Sequence, residues 1–324
     1  MRFFVRRVAQ GLLLLLVVSA CTYSLTALTP GDPLQGLRLR SDIAPEALDT
    51  LRRRHGLDRP LPTRYVSWLA GAVRGDLGYS VSYGQPVLTL LAPRIRNTLL
   101  LGVTAMAVAW LVSLPIGLWT AASRRRSLRL ASETATSVLL AIPDLVLALV
   151  VLLIGLRFSA LPAGGMLSER LTEAGTATAL IDLARHLLLP TLALALATAP
   201  TIVRHVVSSV TEVLASPLVD AARARGVPRG RLLVRHVLPA AANPLLTLFG
   251  FSIGTLLSAG FLVEIVMSWP GVGPLALEAI LARDLDLVLG VLMASTGLLI
   301  VGNLVADLLL HWVDPRLRSG PVAR

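Results

Sequence analysis

Residues 98–126 read TLLLGVTAMAVAWLVSLPIGLWTAASRRR. Every residue from Thr98 to Ser123 is uncharged, and the run ends in arginines at positions 124–126. About 20 helical residues cross a hydrocarbon core about 30 Å thick, so this run predicts a transmembrane helix. Cytoplasmic loops are rich in positive charge, and the arginine cluster therefore predicts that this end of the helix faces the cytoplasm.

The rest of the chain repeats this pattern of apolar runs between charged loops. Hydrophobic residues make up 55% of the 324 residues and the mean hydropathy is +0.74, which is more apolar surface than a soluble protein of this length buries. We expect an all-α membrane protein of about six transmembrane helices. The spans are predicted at Val8–Leu28, Thr98–Ser123, Thr134–Leu156, Leu187–Val203, Ala240–Val263 and Leu287–Leu310, the fourth kinked or partly re-entrant because of Pro190 and Pro200.

The types of residue that carry charge or could bind a metal argue against several classes of function. All thirty basic residues are arginine, so the chain has no lysine for a phosphate-binding P-loop and is not predicted to hydrolyse ATP or to be an enzyme. The net charge is +11, but the arginines flank apolar spans instead of forming one stripe, which argues against nucleic-acid binding. Cys21 is the only cysteine and the five histidines have no ligand spacing, so neither a metal site nor a cofactor is expected.

The N-terminal span and the loop after it define the predicted organisation. The apolar run continues past Cys21, so we interpret it as a retained signal anchor and not as a cleaved lipoprotein leader. Both termini are predicted to be cytoplasmic. We expect residues 1–96 to form the first span plus a long extracytoplasmic loop, and residues 97–324 to form the core. Within the loop, helices are predicted at Pro45–His55 and Thr63–Arg74.

The cytoplasmic loop between the fourth and fifth spans contains a short helix with its own boundary signals. Ser216 is a suitable N-cap, Pro217 fits the first helical position, and Gly226 suits a left-handed C-terminal cap. The slim alanine surface of this helix suits close packing with another protein, and Arg223 and Arg225 add charge beside it. From the residues alone, a docking helix and a surface connector without a partner both remain open.

A spaced pattern in this loop resembles a known family. Asp220-Ala221-Ala222, then Gly226, His236 and Leu238-Pro239 are similar to the EAA loop of permeases in binding-protein-dependent ABC importers. Asp220 stands where glutamate is usual and His236 where an aliphatic residue is usual. In that family this helix docks on the ATP-binding subunit and transmits its closure. The resemblance therefore implies a coupling role for Leu218, Asp220, Ala221, Ala222, Arg223, Arg225 and Gly226.

Further motifs extend the resemblance from Arg6 to Arg318 and indicate the dipeptide/oligopeptide/nickel branch. They are Pro30-Gly31-Asp32-Pro33, residues 56–62 (GLDRPLP), residues 75–80 (GDLGYS), residues 268–273 (SWPGVG) and residues 314–318 (DPRLR). The resemblance implies a type I ABC importer transmembrane domain in the cytoplasmic membrane. Its implied partners are two ATP-binding subunits that bind ATP and magnesium, a second homologous permease and an extracytoplasmic substrate-binding protein.

Two residues outside the loop are candidates for further roles. Asp144 falls near the centre of the third span, where an ionisable group is often functional, so it is a candidate for the translocation pathway or for a bond to a neighbouring helix. Trp269, in an outside loop, is a candidate contact for the binding protein or an interfacial anchor. Peptide import is the predicted function. Import of nickel or another metal chelate, and proton-coupled secondary transport, remain as alternatives.

Overall fold

Residues 2–28, 59–157, 161–162, 164–168 and 176–313 are described by the computed structural model of the chain. Almost all of the regular structure is helical. In chain order the elements are α1 (Arg2–Leu28), α2 (Leu61–Ala72), β1 (Tyr79–Ser80), β2 (Gln85–Pro86), α3 (Val87–Ala122), α4 (Arg126–Ala141), α5 (Asp144–Leu156), α6 (Thr176–Leu214), α7 (Pro217–Ala224), α8 (Arg229–Leu232), a π-helical turn (Leu233–Val237), α9 (Leu238–Ala240), α10 (Ala242–Val266), α11 (Val272–Leu281) and α12 (Leu285–Val313).

The number of apolar helices agrees with the predicted fold class. Four helices are long and apolar enough to cross a membrane, at Val5–Leu25, Val87–Ala122, Thr176–Leu214 and Leu285–Leu308. Two bent helix pairs bring the number to six if each pair is one span: Arg126–Ala141 with Asp144–Leu156, and Arg229–Ala240 with Ala242–Leu256. The described part of the chain is therefore that of a multi-pass membrane protein.

The third and fourth spans differ from their predictions in opposite ways. The third is not one straight helix, because α4 and α5 meet at a 102° bend. Ile142 and Pro143 at the bend have extended backbone with ψ of 124° and 141°. The fourth is not re-entrant, because Pro190 and Pro200 lie inside the continuous 39-residue helix α6.

By its internal contacts the chain divides into two compact units. One comprises residues 1–98 and 270–300, and the other comprises residues 99–269 and 301–324. The predicted division after residue 96 stays a prediction. The predicted helix at Thr63–Arg74 is observed as α2, whereas the Pro45–His55 helix, Pro30–Pro33, residues 56–58 and Asp314–Arg318 lie outside the described residues.

Side-chain hydrogen bonds hold the first unit together around a small hairpin. Strands β1 and β2 pair antiparallel, with Ser80 opposite Gln85. Asp284 is 3% exposed and accepts hydrogen bonds from Ser80 Oγ at 2.6 Å and from the Ser82 amide at 2.9 Å. The Tyr83 hydroxyl donates to the Glu278 carboxylate. Burial and this hydrogen bond raise the pKa of Tyr83 to about 12, so the phenol stays a donor at neutral pH.

In the second unit, two apolar clusters form the core around α6. One cluster joins α3, α5, α6 and α10 and includes the fully buried Trp269. The other includes Ile202 and Val206 of α6, Leu245 of α10, and Val219 of α7. Helix α6 contributes to both clusters, which makes it the central helix of this unit.

Candidate functional site

Helix α7 begins and ends at the residues that the sequence predicted, although its first residues are held differently. Ser216 is the N-cap residue and Pro217 is the first helical residue. The Ser216 side chain does not cap the helix. Its hydroxyl instead donates to the carbonyl of Val213 at 2.6 Å, in the last turn of α6. Ser216 therefore ties the start of α7 to the end of α6.

The C-terminal end of α7 is a Schellman motif built on Gly226. Gly226 has φ of +75°, and its amide donates to the carbonyl of Arg223 at 2.9 Å. The Val227 amide donates to the carbonyl of Ala222 at 3.3 Å, which is the second bond of this motif. A left-handed backbone favours glycine, so the sequence signal at Gly226 has the physical basis that we expected.

One face of α7 is anchored in the core and the other is exposed. Val219 is 0% exposed and Ala222 is 5% exposed, and both pack into the cluster that contains Ile202 and Val206. The Ala222 side chain therefore contacts its own core and is not part of the exposed surface, whereas the coupling role of the helix stays a prediction. The side chain of Leu218 remains 54% exposed.

The other predicted coupling residues lie on the exposed surface of α7 and its C-terminal cap. These residues are Asp220, Ala221, Arg223, Arg225 and Gly226. Arg223 Nη1 lies 3.1 Å from Asp220 Oδ1, one turn away on the same helix. Such an exposed pair adds little stability, so both groups can exchange partners at low cost. The exposed face thus combines the large apolar side chain of Leu218, the small side chain of Ala221 and charged groups that can change partners.

The chain after α7 returns to the same apolar cluster. Leu232 is 3% exposed and Val237 is 0% exposed, and both belong to the cluster that holds Val219. Leu233–Val237 forms a π-helical turn, within which His236 Nδ1 is buried without a hydrogen-bond partner among the described residues. A displacement of α7 therefore acts directly on the packing at the beginning of α10.

Asp144 does not lie at the centre of a straight span, as the sequence predicted. It is the first residue of α5, immediately after the bend, and its side chain is exposed. It lines a cavity of about 180 Å³ together with residues of α6 and α10. The polar lining residues that sequence analysis missed are Thr198, Thr201, Ser252 and Thr255. Their spacing by three residues on each helix was an available signal, because such residues share a helix face.

Trp269 does not lie on a surface. It is 0% exposed, and its backbone amide donates to the carbonyl of Glu264 at 2.8 Å. Its side chain packs in the core cluster that contains Leu101, Leu194 and Val263. The predicted contact between Trp269 and a binding protein is wrong for this conformation, because the buried ring offers no surface to a partner.

Two family models match the chain, one over its N-terminal part and one over the remainder. Residues 113–319 match the family described as binding-protein-dependent transport system inner membrane component. Residues 1–102 match the N-terminal family of such membrane components.

Curated relatives match over nearly the whole length. The chain is 33% identical to an oligopeptide transport system permease protein, OppB, of Mycobacterium bovis, with 98% of this chain and 99% of the relative covered. It is 30% identical to the oligopeptide transport system permease protein AppB of Bacillus subtilis, with 97% and 98% covered. It is also 30% identical to the dipeptide transport system permease protein DppB of Escherichia coli K12, with 98% and 99% covered.

A solved structure shows a similar fold. It is a chain from an inward-facing conformation of the MetNI methionine ABC transporter, with a TM-score of 0.55 and 18% identity. The alignment covers 70% of this chain and 97% of that chain. The fold is therefore that of a type I ABC importer transmembrane domain.

Proposed function

Because the chain belongs to the family of binding-protein-dependent transport system inner membrane components, we propose that it is a permease subunit of an ATP-driven peptide importer. Curated relatives at 30–33% identity are named as dipeptide and oligopeptide permease proteins. These names support peptides as the transported class over nickel or another metal chelate. Family membership also favours this function over proton-coupled secondary transport.

The observation that carries the proposal is the two-sided environment of α7. Its inner side, Val219 and Ala222, packs with α6 and with the chain that leads into α10, whereas Leu218 is exposed. An exposed apolar side chain beside small and charged residues is suited to a protein interface. A partner that moves Leu218 therefore moves a helix that is packed against the membrane-spanning core.

We assign ATP and magnesium to partner subunits that dock on this face. The chain has no lysine, and a P-loop requires one. A second homologous permease completes the pathway in this proposal, and an extracytoplasmic binding protein delivers the substrate. The family is described as binding-protein-dependent, which supports a binding protein as a partner.

Replacement of Gly226 by valine tests the coupling role. A β-branched residue is strained at φ of +75°, so Gly226→Val is expected to distort the Schellman motif and displace α7. We expect peptide uptake by the reconstituted complex to fall at least about tenfold, since strain of this kind costs roughly 1–3 kcal/mol. ATP hydrolysis by the partner subunits should continue without transport.

Gly230→Val is the matched control. Gly230 lies in the same loop, is exposed, and has neither a left-handed backbone nor an atom within 4 Å of an added Cβ. Uptake by this variant should stay near the wild-type level. Equal uptake by Gly226→Val and the wild type would refute the coupling role of α7, whereas a wild-type complex that imports no peptide would refute the substrate class.

The membrane orientation that we propose has both termini and α7 in the cytoplasm. The arginine cluster at 124–126 motivates it. Single cysteines at Ser82 and Ser127, both exposed, report on the two sides in a Cys21→Ser background. An impermeant maleimide should label Ser82→Cys in intact cells and Ser127→Cys only after permeabilisation. The opposite labelling pattern would invert the proposed orientation.

A further inference from the structure

The cavity beside Asp144 has an unusual chemical lining. Its wall contains one carboxylate, from Asp144, and four hydroxyl groups, from Thr198, Thr201, Ser252 and Thr255. The other lining residues are apolar and include Phe251, whose side chain is 67% exposed. All of these residues belong to α5, α6 and α10 of the second compact unit.

Three of the four hydroxyl protons are already used within their own helices. Thr198 Oγ1 donates to the carbonyl of Leu194 at 2.9 Å. Ser252 Oγ donates to the carbonyl of Leu248 at 2.8 Å, and Thr255 Oγ1 donates to the carbonyl of Ser252 at 3.0 Å. A hydroxyl whose proton is used this way can offer only its lone pairs to a ligand.

The Asp144 carboxylate is available to a ligand. It has no hydrogen bond or ion pair with any residue in the described ranges. An ionised carboxylate accepts hydrogen bonds and donates none. Apart from the Thr201 hydroxyl, the polar groups of the cavity are therefore all acceptors, and the only charge among them is negative.

We infer that this cavity is a subsite for a positively charged side-chain nitrogen of the transported molecule, the ammonium group of a lysine side chain. An ammonium has three donors and no acceptor, which complements this lining. A carboxylate would find few donors and a repelling charge. The inference rests on the proposed function, because it assumes that a peptide passes this cavity.

The size of the cavity favours an organic cation over a bare inorganic ion. The volume of about 180 Å³ is about six times the volume of about 30 Å³ that one water molecule occupies in the liquid. A bound metal cation instead needs oxygen ligands drawn in to about 2.0–2.6 Å. The apolar part of the lining, including Phe251, can contact the methylene groups next to an ammonium.

The charge preference of the cavity can be measured without transport. Thr255→Cys in the Cys21→Ser background places one thiol in the cavity wall of the assembled complex. Its reaction rate is measured with a cationic trimethylammonium-ethyl methanethiosulfonate and with an anionic sulfonatoethyl methanethiosulfonate. Each rate is divided by the rate of the same reagent with a free thiol in solution, and the uncharged methyl reagent reports whether the thiol is accessible. A cleft lined by one sign of charge concentrates counter-ions at least about tenfold, so the cationic reagent should react about tenfold faster.

Asp144→Asn should remove most of this preference. Glu133→Gln is the matched control, because Glu133 is an exposed carboxylate of α4 that does not line the cavity. The control should keep the preference. Equal rates for the two reagents in the Asp144 protein, or no reaction with the uncharged reagent, would overturn the inference.

A transport measurement then links the preference to the substrate. Uptake of Ala-Lys-Ala and of Ala-Gln-Ala is compared in the reconstituted complex, and Asp144→Asn should lower uptake of the lysine peptide about tenfold more, as expected for loss of a charged hydrogen bond. Equal losses would mean that Asp144 has a structural role and would overturn the subsite. A wild-type complex that imports neither peptide would count against the proposed function, while the thiol rates would still report on the cavity.

Discussion

Prolines in the third and fourth spans have opposite effects on their helices. At Pro143 the chain bends by 102° between α4 and α5, whereas α6 continues through both Pro190 and Pro200. The sequence predicted a continuous third span and left a kink or partial re-entry open for the fourth. The presence of a proline therefore does not determine where a span breaks in this protein.

Burial explains the difference. Pro190 and Pro200 are buried, and Pro143 is exposed. A proline kept inside a helix costs about 3 kcal/mol. A break leaves up to four amides and four carbonyls without partners at the new ends, each costing roughly 1–3 kcal/mol when buried. In the core the continuous helix is therefore the cheaper state. The break at Pro143 adjoins the cavity that Asp144 lines, where the freed backbone groups can meet water instead of lipid.

Of the two proline substitutions, the larger effect is expected for Pro143→Ala, which tests whether the proline is required for the bend. Alanine removes the steric restriction that holds Ile142 in extended backbone. We expect α4 and α5 to straighten in part and Asp144 to leave the cavity. Uptake of peptide by the complex should then fall several-fold while the complex still assembles.

Spin labels on the exposed residues Ala131 and Leu153 measure this change directly. A straight helix would separate these positions by about 33 Å, whereas two equal arms with the 102° bend separate them by about 21 Å. The distance distribution of Pro143→Ala should extend beyond that of the wild type. An unchanged distribution would show that packing of α4 and α5 on α6 fixes the bend without the proline.

The same contrast explains which parts of the molecule were predictable from the sequence. The signals for α7 are local: Pro217 at its start and Gly226 at its end act within one or two turns, and both are observed as predicted. The bend at Pro143 depends on exposure, which no short pattern encodes. The cavity beside Asp144 combines three helices that are far apart in sequence, so its hydroxyl groups could not be assembled from spacing alone.

Two side chains that were expected at interfaces lie in the core instead. Trp269 was assigned from its residue type and Ala222 from the resemblance of its helix to the EAA loop, and both are buried. A large aromatic ring and a small alanine are suitable for an interface and for a core alike. Only the direction of the side chain distinguishes the two, and that direction is set by the tertiary fold.

The smallest effect is expected for Pro200→Ala, which tests the continuous side of the comparison. Alanine removes the cost of a proline inside α6, about 3 kcal/mol for the lost hydrogen bond and the ring clash together. It also removes about two buried methylene groups, at about 0.8 kcal/mol each. The second term offsets about half of the first, so the melting temperature of the purified complex should rise by only a few degrees and peptide uptake should stay near the wild-type level. A rise of more than about 8 °C would mean that Pro200 costs α6 more than about 3 kcal/mol. In that case packing in the core would be keeping the helix continuous against a stored strain, and Pro143 and Pro200 would differ in the packing that opposes a break.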